Sequence, residues 1–187
     1  MVGGGTGVVV CKDKKTFDKA NAKKLLEQSM KTDGKATGEW MYDYIKPRII
    51  AEKFMENNDG TELRDYKVLC FNGEPRLLYL ASDRYSKSET LHFDWYDMEL
   101  NHLPFETEGH PSKNIELEMF PQWEEMKEVA KKLSQGFPHL RVDLYLINGQ
   151  VFFGELTFFH MAGLVPFIPC EWDYKLGEMI DLNIVNK

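Results

Sequence analysis

Cysteine is scarce in this chain of 187 residues: Cys11, Cys70 and Cys170 lie far apart and form no CxxC pair. That spacing excludes a zinc knuckle and a disulfide framework, both of which need closely paired cysteines. Basic residues are outnumbered, 23 Lys and Arg against 30 Asp and Glu, for a net charge of −7. Binding through a nucleic-acid backbone relies on clustered cations, so nucleic acid is not expected as a partner. No apolar run approaches the roughly 18 residues of a membrane-spanning helix. The opening Met1-Val2-Gly3-Gly4-Gly5-Thr6-Gly7 has no charged region ahead of an apolar core, so it does not read as a signal peptide. Internal repeats and low-complexity linkers are missing as well. A reduced, cytoplasmic chain without a membrane span is the expectation.

What is present suits a well-cored fold: 43% of residues are hydrophobic and 13% aromatic. The glycine cluster at the start is unusual, because glycines there stabilise nothing unless something precedes or binds them. The chain is therefore expected to begin inside a larger fold, through truncation or a late start codon.

Hydrophobic periodicity predicts the elements. Gly7 to Cys11 reads as a strand, Thr16 to Met30 as a helix capped by Thr16, and Ile49 to Met55 as a buried strand. Residues 65–71 and 75–82 read as strands joined through Asn72-Gly73, and 91–96 as a further strand. Pro121 opens a helix through Trp123, Met126, Ala130 and Leu133 to Gly136. Two more strands, 140–147 and 151–158, flank a second Asn-Gly, and a helix is expected over about 174–185. Strands outnumber helices and hairpins join them. The fold class is α+β, with mostly antiparallel sheets and helices on one face.

The segment 140–158 carries the chemistry. Alternation puts Arg141, Asp143 and Tyr145 on one face of their strand, and Phe153, Glu155 and Thr157 together on the next. A two-residue loop at Asn148-Gly149 would set Asp143 opposite Gly154 and send Glu155 to the far face. A three-residue loop, Asn148 to Gln150, sets Asp143 opposite Glu155 and Arg141 opposite Thr157, and is the expected arrangement. Carboxylates so placed repel and call for a cation. Oxygen ligands of this kind suit Mg²⁺, and Arg141 beside them suits a phosphate or a developing anion. Pattern alone leaves open a surface hairpin whose acids face water, or a simple Arg141–Glu155 pair.

Three longer stretches carry a resemblance: Ile45-Lys46-Pro47-Arg48-Ile49-Ile50-Ala51-Glu52-Lys53-Phe54-Met55, Asp65-Tyr66-Lys67-Val68-Leu69-Cys70-Phe71-Asn72-Gly73-Glu74-Pro75, and Gly154-Glu155-Leu156-Thr157-Phe158. Together they resemble the ATP-grasp proteins of the TupA type, named for teichuronopeptide biosynthesis and often found among polysaccharide-synthesis genes. The resemblance implies an ATP- and Mg²⁺-dependent ligase that joins a carboxylate to an amine through an acyl phosphate, here in cell-surface polymer synthesis. ATP and an unidentified carboxylate and amine pair are the implied partners. The ATP-grasp fold would lack its N-terminal subdomain, leaving a partial small subdomain over 1–55 and a C-terminal, magnesium-binding subdomain over 56–187.

Site roles follow residue by residue. Gly4, Gly5, Thr6 and Gly7 resemble the phosphate-covering loop, where glycines let backbone N–H groups approach the anion. Glu52, Lys53, Phe54 and Met55 resemble the hinge strand that contacts adenine. Asp65 falls where an acid meets the ribose hydroxyls, and Lys67 shares its face toward the phosphates or solvent. Arg141, Asp143 and Glu155 match R-x-D … E-x-N, with Arg141 as the catalytic cation and Asp143, Glu155 and Thr157 as metal ligands. The chain departs from that pattern twice: Thr157 replaces the usual Asn, and the strand bearing a phosphate-binding lysine is missing. A non-catalytic nucleotide-binding remnant is the alternative, followed by a sugar-nucleotide glycosyltransferase resting on Asp94 and Asp97. His160 reads as a packed histidine, Trp123 and Trp172 as core.

Overall fold

A computed structural model describes residues 7–31, 44–61, 63–82 and 90–186. The chain divides into two compact units, Met1–Met55 and Glu56–Lys187.

The first unit holds one described helix, α1 (Lys19–Ser29). Asp18 caps it, accepting from the Asn21 N–H at 3.0 Å, so the cap lies two residues beyond the expected Thr16. Two expected strands are absent. Val8 to Cys11 and Ile49 to Met55 carry no ladder, and Val8, Val10, Ile49, Ile50 and Phe54 are exposed. β-branched residues supply propensity, but a strand exists only when a neighbour takes its N–H and C=O groups. Among the described residues neither segment has such a neighbour.

The second unit is built on a five-stranded antiparallel sheet in the order β3-β2-β1-β5-β6. Its strands are β1 (Asp65–Phe71), β2 (Glu74–Ser82), β3 (His92–Tyr96), β5 (His139–Ile147) and β6 (Gln150–Thr157). A two-stranded ribbon pairs β4 (Glu106–Thr107) with β7 (Phe167–Ile168). Helix α2 (Trp123–Ser134) buries Trp123, Met126, Ala130 and Ser134, a stripe at helical spacing. It packs on the sheet face formed by Val68, Cys70, Leu78, Leu140, Val142 and Leu144. Glu124 and Glu125 in its first turn and Lys131 and Lys132 in its last complement the helix dipole. The C-terminal helix expected over 174–185 is shorter and earlier: α3 covers Glu171–Gly177, and 3₁₀ turns follow at Leu182–Asn186.

Both hairpins use the same device. Asn72-Gly73 and Asn148-Gly149 have positive φ at both positions, 53° and 81° and then 50° and 77°, giving two-residue turns that match the strand twist. Each hairpin then gains one extra residue on its second strand. In β2 it is Arg76, since Cys70 pairs with Pro75 and Leu69 with Leu77. In β6 it is Gly154, since Leu144 pairs with Phe153 and Asp143 with Glu155. These bulges shift the strand by one residue and change which side chains share a face.

The expected pairing of Asp143 with Glu155 and Arg141 with Thr157 is therefore present, although the three-residue loop is not. The turn has two residues and the bulge at Gly154 restores the register. Glycine suits that place, because a Cβ there would sit 2.9 Å from Tyr145 Cε2 and 3.0 Å from the Asp143 carbonyl oxygen.

Candidate active site

The face of the sheet away from α2 is divided. At one end Leu69, Phe71, Leu77, Tyr79, Phe93 and Trp95 join Phe105 and Leu176 in an apolar cluster. At the other end the same face becomes charged. The two register shifts line up Trp95, Tyr79, Lys67, Asp143 and Glu155 in one row across the five strands. Arg141 and Thr157 lie in the adjoining row, one alternation along.

Lys67 is buried and forms ion pairs with Asp143 and, at 2.6 Å, with Asp65. The solvated strand lysine allowed by the sequence is thus corrected, because the neighbouring strands enclose it. Arg141 is also buried, and all five of its N–H groups are engaged. Nε donates to Asp143 Oδ1 at 2.7 Å, and Nη2 donates to Asp143 Oδ2 at 2.8 Å and to Glu155 Oε1 at 3.0 Å. Nη1 donates to the Tyr79 hydroxyl and to His160 Nδ1, each at 3.2 Å. The bidentate contact with Asp143 fixes the plane of the guanidinium.

These contacts shape the charge states. Burial pushes the Asp143 carboxyl up, but Arg141 and Lys67 outweigh it and hold Asp143 below its ordinary value. Glu155 is held above its ordinary value, first by burial and then by the Asp143 charge opposite it. Its side chain is nonetheless 64% exposed, against 1% for Asp143. Solvent screening makes its pair with Arg141 weak beside the enclosed one. His160 is pushed down to about 3 by burial and by the Arg141 charge, so its ring is neutral.

Among the described residues no group of three or more His, Cys, Asp or Glu side chains is placed to share a metal ion. Two carboxylates and one hydroxyl remain, which is enough for Mg²⁺, an ion that takes one or two carboxylates and completes its shell with water and phosphate. The fit is uneven. Glu155 is the accessible carboxylate, while Asp143 already accepts from Arg141 at both oxygens and from Lys67 at Oδ2.

The other candidates are placed as follows. Gly4, Gly5 and Thr6 lie outside the described residues, and Gly7 sits in a turn with φ 82°. Glu52, Lys53, Phe54 and Met55 form an irregular, largely exposed segment rather than a hinge strand, with the Lys12 ammonium 5.3 Å from the Phe54 ring centroid. Asp94 and Asp97 serve loops. Asp94 is buried and accepts from the Ser112 hydroxyl and the Lys113 N–H, while Asp97 accepts from the Glu99 and Asn101 N–H groups. Trp123 is core, and Trp172 stacks on Phe105 with ring centroids 4.3 Å apart.

Tyr79 is the member that sequence reading passed over, and His160, read as a packed histidine, is packed and also meets Arg141. Tyr79 reaches the row only because of the bulge at Arg76. His160 stood next to the magnesium-strand motif, but its spacing carried no signal of contact with Arg141.

The chain is an α+β protein whose antiparallel sheet concentrates Arg141, Lys67 and the acids Asp65, Asp143 and Glu155 on one face. The family model described as TupA-like ATPgrasp matches residues 1–181, and the chain belongs to that family. No curated protein and no solved structure matches the chain.

Proposed function

We propose that this chain binds ATP with Mg²⁺ and serves a ligase that joins a carboxylate to an amine. The observation that carries the reading is the row Lys67–Asp143–Glu155 with Arg141 beside it, ending in one exposed carboxylate. Glu155, with Asp143 behind it and Thr157 in the next row, would hold the metal, which supplies charge neutralisation for the transferring phosphoryl group. Arg141 and Lys67 together keep Asp143 ionised. Asp143 in turn orients the Arg141 guanidinium. An incoming phosphoryl or acyl-phosphate oxygen takes the place of Glu155 on Arg141 Nη2, because that exposed pair is the weakest of the charged contacts. Asp65, at the edge of the cluster, is the candidate for the ribose hydroxyls.

Membership of the family supports ligase-type work, and we extend the proposal to the synthesis, in the cytoplasm, of cell-surface polysaccharide or teichuronopeptide-like polymers. The saturated guanidinium also supports a second reading, a chain that holds nucleotide without turnover. Incubating the protein with ATP, Mg²⁺ and mixed amino-acid and uronic-acid acceptors separates the two. ADP release that depends on acceptor supports ligation, whereas binding without ADP release supports the second. Stabilisation by a UDP-sugar and not by ATP contradicts both.

A further inference from the structure

The ring of His160 is used on one side only. Nδ1 lies 3.2 Å from Arg141 Nη1, and a guanidinium only donates, so Nδ1 accepts. The ring is neutral, and its single proton therefore sits on Nε2. Nε2 is buried and has no hydrogen-bond partner among the described residues. Tyr79 lies against the ring at 5.4 Å between centroids and Trp95 meets it edge-on at 5.9 Å. Leaving a buried donor unpaired is costly, so something else holds this orientation.

The backbone supplies the hold. Met161, Ala162 and Gly163 follow with φ of 49°, 56° and 71°, three successive left-handed residues of which two are not glycine. Left-handed geometry is unfavourable for L-residues, whose Cβ crowds the following carbonyl oxygen. It persists where the surroundings over-determine it, and Met161 packs against the aromatic cluster of the second unit. The turn brings the chain back over the sheet after β6 and seats the imidazole on the outer side of the guanidinium. Asp143 grips Arg141 from the opposite side.

We propose that His160 is a positioning residue for Arg141, acting as a fixed acceptor in the Nε2–H tautomer and held there by the left-handed turn 161–163. Without it Nη1 keeps only the Tyr79 hydroxyl, and rotation about the Nε–Cζ bond, which exchanges Nη1 with Nη2, is restrained mainly by the contacts to Asp143. The orientation that a ligand meets at Nη2 is then less firmly held. This deepens the reading of Arg141 as the anion-binding cation and rests on it for the ligand arm of the test alone.

Histidine nitrogen shifts, Arg141 guanidinium signals and affinity for ATP with Mg²⁺ test it in the whole chain. Wild type is expected to show His160 as the neutral Nε2–H tautomer from pH 5 to 8, facing Arg141, His139, Asp143 and Lys67. Separate Arg141 Nη1 and Nη2 signals are expected in wild type and in His160→Asn, whose amide oxygen can replace Nδ1. In His160→Ala and His160→Gln they merge, and affinity falls about tenfold, the low end for losing a hydrogen bond to a charged group. A protonated or Nδ1–H ring overturns the proposal, as do Arg141 signals unchanged in the alanine variant. If ATP does not bind wild type, the nucleotide reading fails while the nitrogen and guanidinium arms still decide this one. Equal losses in the asparagine and glutamine variants also overturn it.

Discussion

At the residue scale the site depends on Lys67 and Asp143, two charges that the sheet has withdrawn from water. Enclosed charges are tolerated only as a set, and removing one member leaves the others uncompensated. Lys67→Met is therefore expected to lower unfolding free energy by about 3–5 kcal/mol in urea titrations. Adding Asp143→Asn to it should cost less than the sum of the two single changes, since the variants remove the same pair. Strict additivity would show that the two groups do not interact.

The acid response belongs to the same residues. Asp143 has a depressed folded-state pKa, so its contribution is fully present above its unfolded value, about 3.9. It is lost as pH falls through the folded value. Wild-type stability should decline below about pH 4, and Asp143→Asn should show a shallower decline there. Glu155, with a raised pKa, contributes in the opposite direction: its share is present at low pH and lost as pH rises through the folded value. Its exposure keeps that share small. Identical acid limbs in wild type and Asp143→Asn would remove Asp143 from the account.

At the element scale the deciding features are two bulges. Without Gly154 as an extra residue, the Asn148-Gly149 turn sets Asp143 opposite residue 154 and Glu155 faces away. Gly154→Val is expected to destabilise by about 1–3 kcal/mol, as overpacking does. It should also displace Glu155 from Arg141, read as loss of the cross-strand proton contacts between residues 143 and 155 by NMR. Retention of those contacts with unchanged stability would contradict the role given to the bulge.

These bulges mark the limit of what the sequence discloses. Asn72-Gly73 and Asn148-Gly149 announce their turns because left-handed φ at two successive positions favours those residues. Helix α2 is legible from the spacing of Trp123, Met126 and Ala130. A bulge, by contrast, is set by how the sheet must coil, and Arg76 shows no local mark of it. Asp143 and Glu155 were readable as partners, yet by the wrong loop. The strands expected at Val8 to Cys11 and Ile49 to Met55 failed for a related reason, since propensity is local and a ladder is not. His160 and Tyr79 reach Arg141 through tertiary placement that no window of sequence contains.

At the scale of the whole molecule, membership of the TupA-like ATP-grasp family and the charged face of the second unit point the same way. Every described member of the cluster, from Asp65 to His160, lies within Glu56–Lys187. No described helix is long and apolar enough to cross a membrane. The central claim is that this face binds nucleotide through a metal held by Glu155. Asp143 is a poor residue on which to test it, because its removal also strands Lys67. Glu155→Gln is better suited: the exposed side chain contributes within about 1 kcal/mol to stability, so the fold survives its change. Calorimetric titration of ATP into wild type and Glu155→Gln, each with and without Mg²⁺, is the most direct measurement. The account predicts tight binding to wild type only with Mg²⁺, and loss of the Mg²⁺-dependent part in a Glu155→Gln variant of matching melting temperature. Equal Mg²⁺-dependent affinity in the two proteins, or no ATP binding by either, would contradict it.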